Sequence, residues 1–142
     1  MEEAMTPEQV RDRMTLIAQQ DGRYAPAAFF FVYEVVANTV KWLKAGEMQP
    51  HDVAGVRGAE GENFHISGYE LLEGMRRLAR ERWGLLARSV LERWRVYRTE
   101  DIGEIVYIMV DDPELQWKRR DSDTKADFAN GYDFSEAFDS WG

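Results

Sequence analysis

The sequence predicts a mainly α, compact single-domain bundle of about five helices, followed by an extended acidic C-terminal tail. Three observations lead there. Two segments, Thr6-Pro7-Glu8-Gln9 and Ser67-Gly68-Tyr69-Glu70, carry the reciprocal capping pattern, each ahead of apolar residues spaced three and four apart. A hydrophobic content of 44% with five Trp in 142 residues suits one buried core. Charge is segregated: residues 70–98 hold eight arginines and four glutamates, whereas residues 99–142 hold twelve acids and four bases. The expected organisation is a helical domain over 1–120, with a Gly-rich loop at 45–65, and an acidic aromatic tail over 121–142.

The first helix opens at Thr6, with Pro7 at its first position and Gln9 closing the box. Met5 and Val10 stand at hydrophobic-staple positions, and Val10, Met14, Ile17 and Ala18 share one face. Asp21-Gly22 ends it. The second helix runs from about residue 26 to 44. It is apolar nearly all round, with Phe29, Phe31, Val32, Val35 and Trp42, and only Glu34, Asn38 and Lys41 form a polar stripe. Such a helix belongs at the centre of a bundle. The loop 45–65 holds Gly46, Gly55, Gly58, Gly61 and Pro50. Two stretches offer a short β element, a hairpin within 50–66 or a strand at 115–118.

Ser67 and Glu70 cap the third helix, stapled by Ile66 and Leu71, with Leu72, Met75, Leu78, Ala79 and Trp83 along its inner face. Gly84 breaks it as a left-handed cap. A helix over 85–95 follows, with Leu86, Val90, Leu91 and Trp94 expected inward. Thr99 is expected to cap the next, whose first-turn acids Glu100 and Asp101 suit the positive helix end. That helix buries Ile102, Ile105, Val106 and Met109 and stops at Asp112-Pro113. Residues 126–138 offer one further turn of helix.

Composition excludes several chemistries. With no cysteine there is no disulfide, thiolate metal site or Cys nucleophile. The start, MEEAMTPEQV, is unlike a secretory signal, and the longest apolar run, 25–32, is too short to span a bilayer. A cytoplasmic protein without membrane contact is expected. The net charge of −8 disfavours nonspecific binding to nucleic acid, although a local basic face can act against the average.

The segments RYAPAAFFFV, GYELLEGMRRLARERWGLLARSVLERW, RTEDIGEIVY and ADFANGYDFSEAF resemble an uncharacterised bacterial family described as the Minf-type hypothetical protein. The likeness runs over roughly residues 20–138, with TEDIGEIV and YDFSEAF its specific part and 53–63 its least similar. It implies a bacterial cytoplasmic protein of one domain and carries no activity, substrate or cofactor.

Site chemistry is weighed residue by residue. His51, Asp52, Glu60, Glu62 and His65 are potential metal donors, but a Gly-rich loop gives ligands little rigid support. Glu100, Asp101 and Glu104 serve a helix start better than acid–base chemistry, because that position favours the charged form. Ser67 is used as a cap and Ser89 lies inside a helix. No nucleophile elbow, P-loop or dinucleotide fingerprint occurs. Glu34 sits on the polar stripe. No catalytic, cofactor-binding or metal residue is therefore assigned, and the residues point away from an enzyme.

Two features remain. Residues 67–95 resemble a tight helical pair whose Arg76, Arg77, Arg80 and Arg88 suit phosphate contacts, although Glu73 and Glu81 are spaced to pair with them. The tail carries Phe128, Tyr132, Phe134, Phe138 and Trp141 between acids, the composition of segments that order on a basic, apolar groove. The leading expectation is a non-enzymatic interaction or adaptor module. Its tail docks on a basic surface, either its own Arg-rich helices or another protein. The alternative is a nucleic-acid- or ribosome-associated protein using the Arg-rich helical pair over 67–98.

Overall fold

The computed structural model describes residues 5–51, 66–115 and 125–139. These form helices α1 (Pro7–Asp21), α2 (Pro26–Lys44), α3 (Gly68–Trp83), α4 (Ala87–Arg93), α5 (Thr99–Val110) and the short α6 (Phe134–Phe138). Two 3-10 turns, Gly84–Leu86 and Lys125–Phe128, complete the order, and no strand occurs among the described residues. The mainly helical bundle is therefore the fold. The hairpin expected within 50–66 and the strand at 115–118 fall largely outside the described residues, and Leu115 itself lies in a turn.

Local capping sets the helix starts. The Gln9 N–H donates to Thr6 Oγ1 (3.1 Å) while the Thr6 N–H donates to Gln9 Oε1 (2.8 Å), and Gly22, at φ 78°, closes α1 in the left-handed conformation. The same reciprocal pair joins Ser67 and Glu70 at the head of α3. Glu70 extends that cap, since its Oε2 also accepts the His51 N–H at 2.7 Å and the Ser67 hydroxyl donates to His51 O. A buried glutamate thus ties the end of the 45–51 segment to α3.

Helix α2 occupies the centre and packs against α1, α3 and α5. Its Phe29, Phe31, Val32 and Val35 are buried together with Met75, Leu78, Ile102, Ile105 and Met109. The approach of α2 to α3 is close because Gly74 faces Thr39: a Cβ at Gly74 would collide with the Thr39 hydroxyl. At the bundle's edge Arg13 of α1 donates from Nε to Asp112 Oδ2 at 3.0 Å, and Asp112 also accepts the Glu114 and Leu115 N–H groups. The Arg13 hydrogen bond holds the Asp112 carboxyl below the usual range, against the opposing effect of its burial.

Three local expectations need correction. Leu86 faces solvent, not the core, because residues 84–86 form a 3-10 turn that rotates the register; Leu91 is buried as expected, and Ala87 is buried with it. Gly84 has the positive φ expected of it (53°), but its ψ of −127° is not that of a left-handed cap. Thr99 is the first residue of α5 and does not cap it. Asp101 does that work, its Oδ2 accepting the Tyr97 and Arg98 N–H groups at 2.9 and 3.2 Å.

Candidate functional site

The described part of the tail lies against its own domain. Phe128, Phe134 and Phe138 are 4%, 4% and 1% accessible and belong to the same apolar cluster as α2, α3 and α5. Phe128 reaches that position because α3 and α5 present glycines to it: a Cβ at Gly103 would stand 2.8 Å from Phe128 Cβ, and one at Gly68 would stand 3.4 Å from its ring. Phe134 and Phe138 pack edge to face at 5.3 Å on α6, which sits on α4 and the Gly84–Leu86 turn.

Polar groups fix the register of this docking. The Thr99 hydroxyl donates to Phe128 O at 2.6 Å and its oxygen accepts the Gly131 N–H at 3.0 Å. This use by the tail explains why Thr99 does not cap its own helix. Tyr132 donates to Leu72 O at 2.7 Å, and burial pushes its phenol well above the usual range, so it remains a donor. Asp133 accepts the Ser135 N–H and hydroxyl, which cap α6 and lower the Asp133 carboxyl. Glu104 sits between Arg23 and Lys125 at 3.2 Å from each, and the Lys125 hydrogen bond leads in lowering its carboxyl.

Of the four arginines singled out, the structure brings Arg88 into direct contact with the tail, its Nη1 meeting Asp139 Oδ2 at 2.6 Å and its Nε meeting Glu92 at 3.3 Å. Arg76 pairs with Glu73 on its own helix. Arg77 stacks over the Trp42 ring at 4.0 Å, donates to Glu47 O and pairs with Glu81. Arg80 is half-buried on α3. Arg82, not among the four, pairs with Glu34 across α2 and α3. Trp141 lies outside the described residues.

The other potential chemistry is scattered. His51 lies edge-on to Tyr69, and Asp52, Glu60, Glu62 and His65 fall outside the described residues. Among the described residues no three His, Cys, Asp or Glu side chains form a metal-binding group. Glu34 and Glu104 belong to separate ion pairs. A shallow cleft of about 390 Å³ lies between the start of α5 and the tail, lined by Tyr97, Arg98, Glu100, Asn130, Tyr132, Asp133 and Phe134. Its acids are already engaged: Glu100 accepts the Asn130 N–H, and Asp133 caps α6.

Sequence reasoning missed the surface this docking leaves uncovered. Leu85 and Leu86 are 45% and 67% accessible, adjacent leucines on the turn between the two Arg-rich helices. The available signal was Gly84 beside a Leu-Leu pair, where a tight turn prevents both leucines from facing one core. Exposed with them on α4 are Ser89 and Arg93.

Among the described residues, the fold and surface define a helical domain that seats the 125–139 part of the acidic tail and leaves a Leu-Arg face exposed. No family model, curated protein or solved structure matches the chain. No helix is long and apolar enough to cross a membrane among the described residues.

Proposed function

We propose that this protein is a non-enzymatic protein-interaction module whose acidic, Phe-rich tail docks on its own Arg-bearing helices and whose partner surface is the turn and helix beside it. The observation that carries the reading is the exposure of Leu85 and Leu86 side by side, where the leucines of α3 and Leu91 of α4 are buried. Exposed apolar residues are common singly; an adjacent pair on a basic helical corner is the kind of patch that interfaces use.

The tail contributes by completing the core. With Phe128, Phe134 and Phe138 buried, these three side chains are committed within the domain, and Asp139 on Arg88 extends the contact to the surface. The resemblance to the Minf-type hypothetical family fits a single bacterial domain and adds no activity. The reading as a nucleic-acid- or ribosome-associated protein draws less support, because Arg76, Arg77 and Arg88 each already face a carboxylate of this chain.

The test is affinity capture from a bacterial lysate with the full-length protein and with Leu86→Asp, compared by quantitative mass spectrometry. A set of proteins retained by the wild type and lost with Leu86→Asp supports the reading. Identical captured sets from two equally folded proteins would remove Leu86 from any interaction surface.

A further inference from the structure

The exposed face of α4 is specific enough to describe its partner. Positions 86, 89 and 93 follow one another at three- and four-residue spacing, so Leu86, Ser89 and Arg93 share one side of the helix, with Leu85 beside them. The opposite side, Ala87 and Leu91, is fully buried. The exposed strip is thus apolar at its start and ends, about 10 Å further on, in a guanidinium. Arg93 has no acidic partner among the described residues.

The neighbouring flank of α4 shows what this helix accepts. There α6 lays Phe134, Ala137 and Phe138 inward and sets Asp139 on Arg88 at 2.6 Å. An apolar helical face ending in a carboxylate is already seated against α4, with an arginine of α4 receiving the acid. The Leu86–Arg93 strip repeats that arrangement on the side left open.

We propose that the strip formed by Leu85, Leu86, Ser89 and Arg93 docks an acidic amphipathic helix of a partner protein, alongside α6. The inference rests on the interaction-module reading above and names the chemistry of the partner. The partner helix sets apolar side chains on Leu85 and Leu86 and a carboxylate, about two turns away, on Arg93. Displacement of α6 is not required, and it would expose Phe134 and Phe138 from the core. A second copy of this chain fits poorly, because antiparallel α4 helices would lay Leu86 against Arg93 and leave both mismatched. The charge of Arg93, which has no acidic partner among the described residues, favours an acidic occupant, since complementary charge selects partners and speeds association.

The test uses full-length protein and a fluorescein-labelled amphipathic helical peptide of about four turns. The peptide carries a Leu pair and, two turns away on the same face, Glu; a twin carries Lys in place of Glu. Binding is read by fluorescence anisotropy at low and moderate salt, with circular dichroism melts confirming that each variant is folded. The acidic peptide is expected to bind saturably, with affinity reduced roughly tenfold or more by Leu86→Asp and by Arg93→Glu. The Lys twin is expected to bind weakly to wild type and to recover on Arg93→Glu. Leu16→Asp, at an exposed leucine of α1, is expected to change nothing.

No saturable binding of the acidic peptide, or binding indifferent to Arg93→Glu, overturns the proposed partner chemistry. If the Lys twin binds wild type as tightly as the acidic peptide, and both depend on Leu86, that chemistry falls while the interaction surface stands. If Leu86→Asp alters neither peptide binding nor the captured proteins, both the partner assignment and the surface are lost.

Discussion

Arg88 and Asp139 meet at 2.6 Å across the surface of the tail's last described turn, with about four-tenths of each side chain open to solvent. Exposed pairs of this kind contribute little, because water and salt screen them and ordering two side chains costs entropy. The residue just before Asp139, Phe138, is 1% accessible. Apolar burial therefore does more to seat the tail than its charge.

The first prediction compares these two contributions. Phe138→Ala is expected to destabilise the protein by about 3–5 kcal/mol in urea unfolding, the cost of emptying a large aromatic site. Arg88→Ala is expected to leave the urea midpoint nearly unchanged. Raising NaCl to about 1 M, where the Debye length is about 3 Å, should not release the tail. A large loss of stability from Arg88→Ala would show that the ion pair is the main attachment.

Gly103 offers a second check. Within an exposed helix, Gly→Ala gains up to about 1 kcal/mol. Here the new methyl would stand 2.8 Å from Phe128 Cβ and 2.9 Å from its Cγ, atoms close to the backbone that cannot swing away. Overpacking costs about 1–3 kcal/mol, so Gly103→Ala is expected to lower the melting temperature. An unchanged or raised melting temperature would mean that Phe128 does not pack on α5.

Thr39 should behave in the opposite sense. It is fully buried, and its hydroxyl lacks a hydrogen-bond partner among the described residues. Thr39→Val keeps the shape and removes the stranded oxygen, which is expected to stabilise the protein by about 1 kcal/mol. Differential scanning calorimetry would show the rise in melting temperature, and a fall would imply that the hydroxyl is satisfied in solution.

The Arg13–Asp112 pair carries a pH signature. Because Asp112 titrates lower in the folded chain than in the unfolded one, the unfolded state binds the proton more readily. The pair's contribution is therefore complete above the unfolded carboxylate range, near pH 4, and is lost as pH falls through the lower folded value. Asp112→Asn should lower the melting temperature at pH 7, and the gap from wild type should close toward pH 2. A gap that stays constant with pH would rule out this linkage.

Several features are legible in the sequence itself. The capping boxes at Thr6–Gln9 and Ser67–Glu70, the central placement of α2 and the stop near Asp112-Pro113 all depend on residues within a turn or two of one another. The tail is legible as a chemical type, aromatics between acids, and docking on its own domain is one of two expectations for it; the sequence does not decide between that and another protein. Its contacts join residues far apart in sequence, Thr99 to Phe128 across 29 positions and Tyr132 to Leu72 across 60.

By itself, the sequence determined where the long helices begin and end and which faces of α1, α2 and α3 are apolar, because caps and helical periodicity are short-range physics. The tertiary structure decided which way Leu86 points, what the Thr99 hydroxyl serves and where the three tail phenylalanines go. The 3-10 turn after Gly84 rotates α4 relative to α3, and two glycines clear the space for Phe128. Those outcomes depend on how helix faces meet in space, which no single stretch of residues encodes.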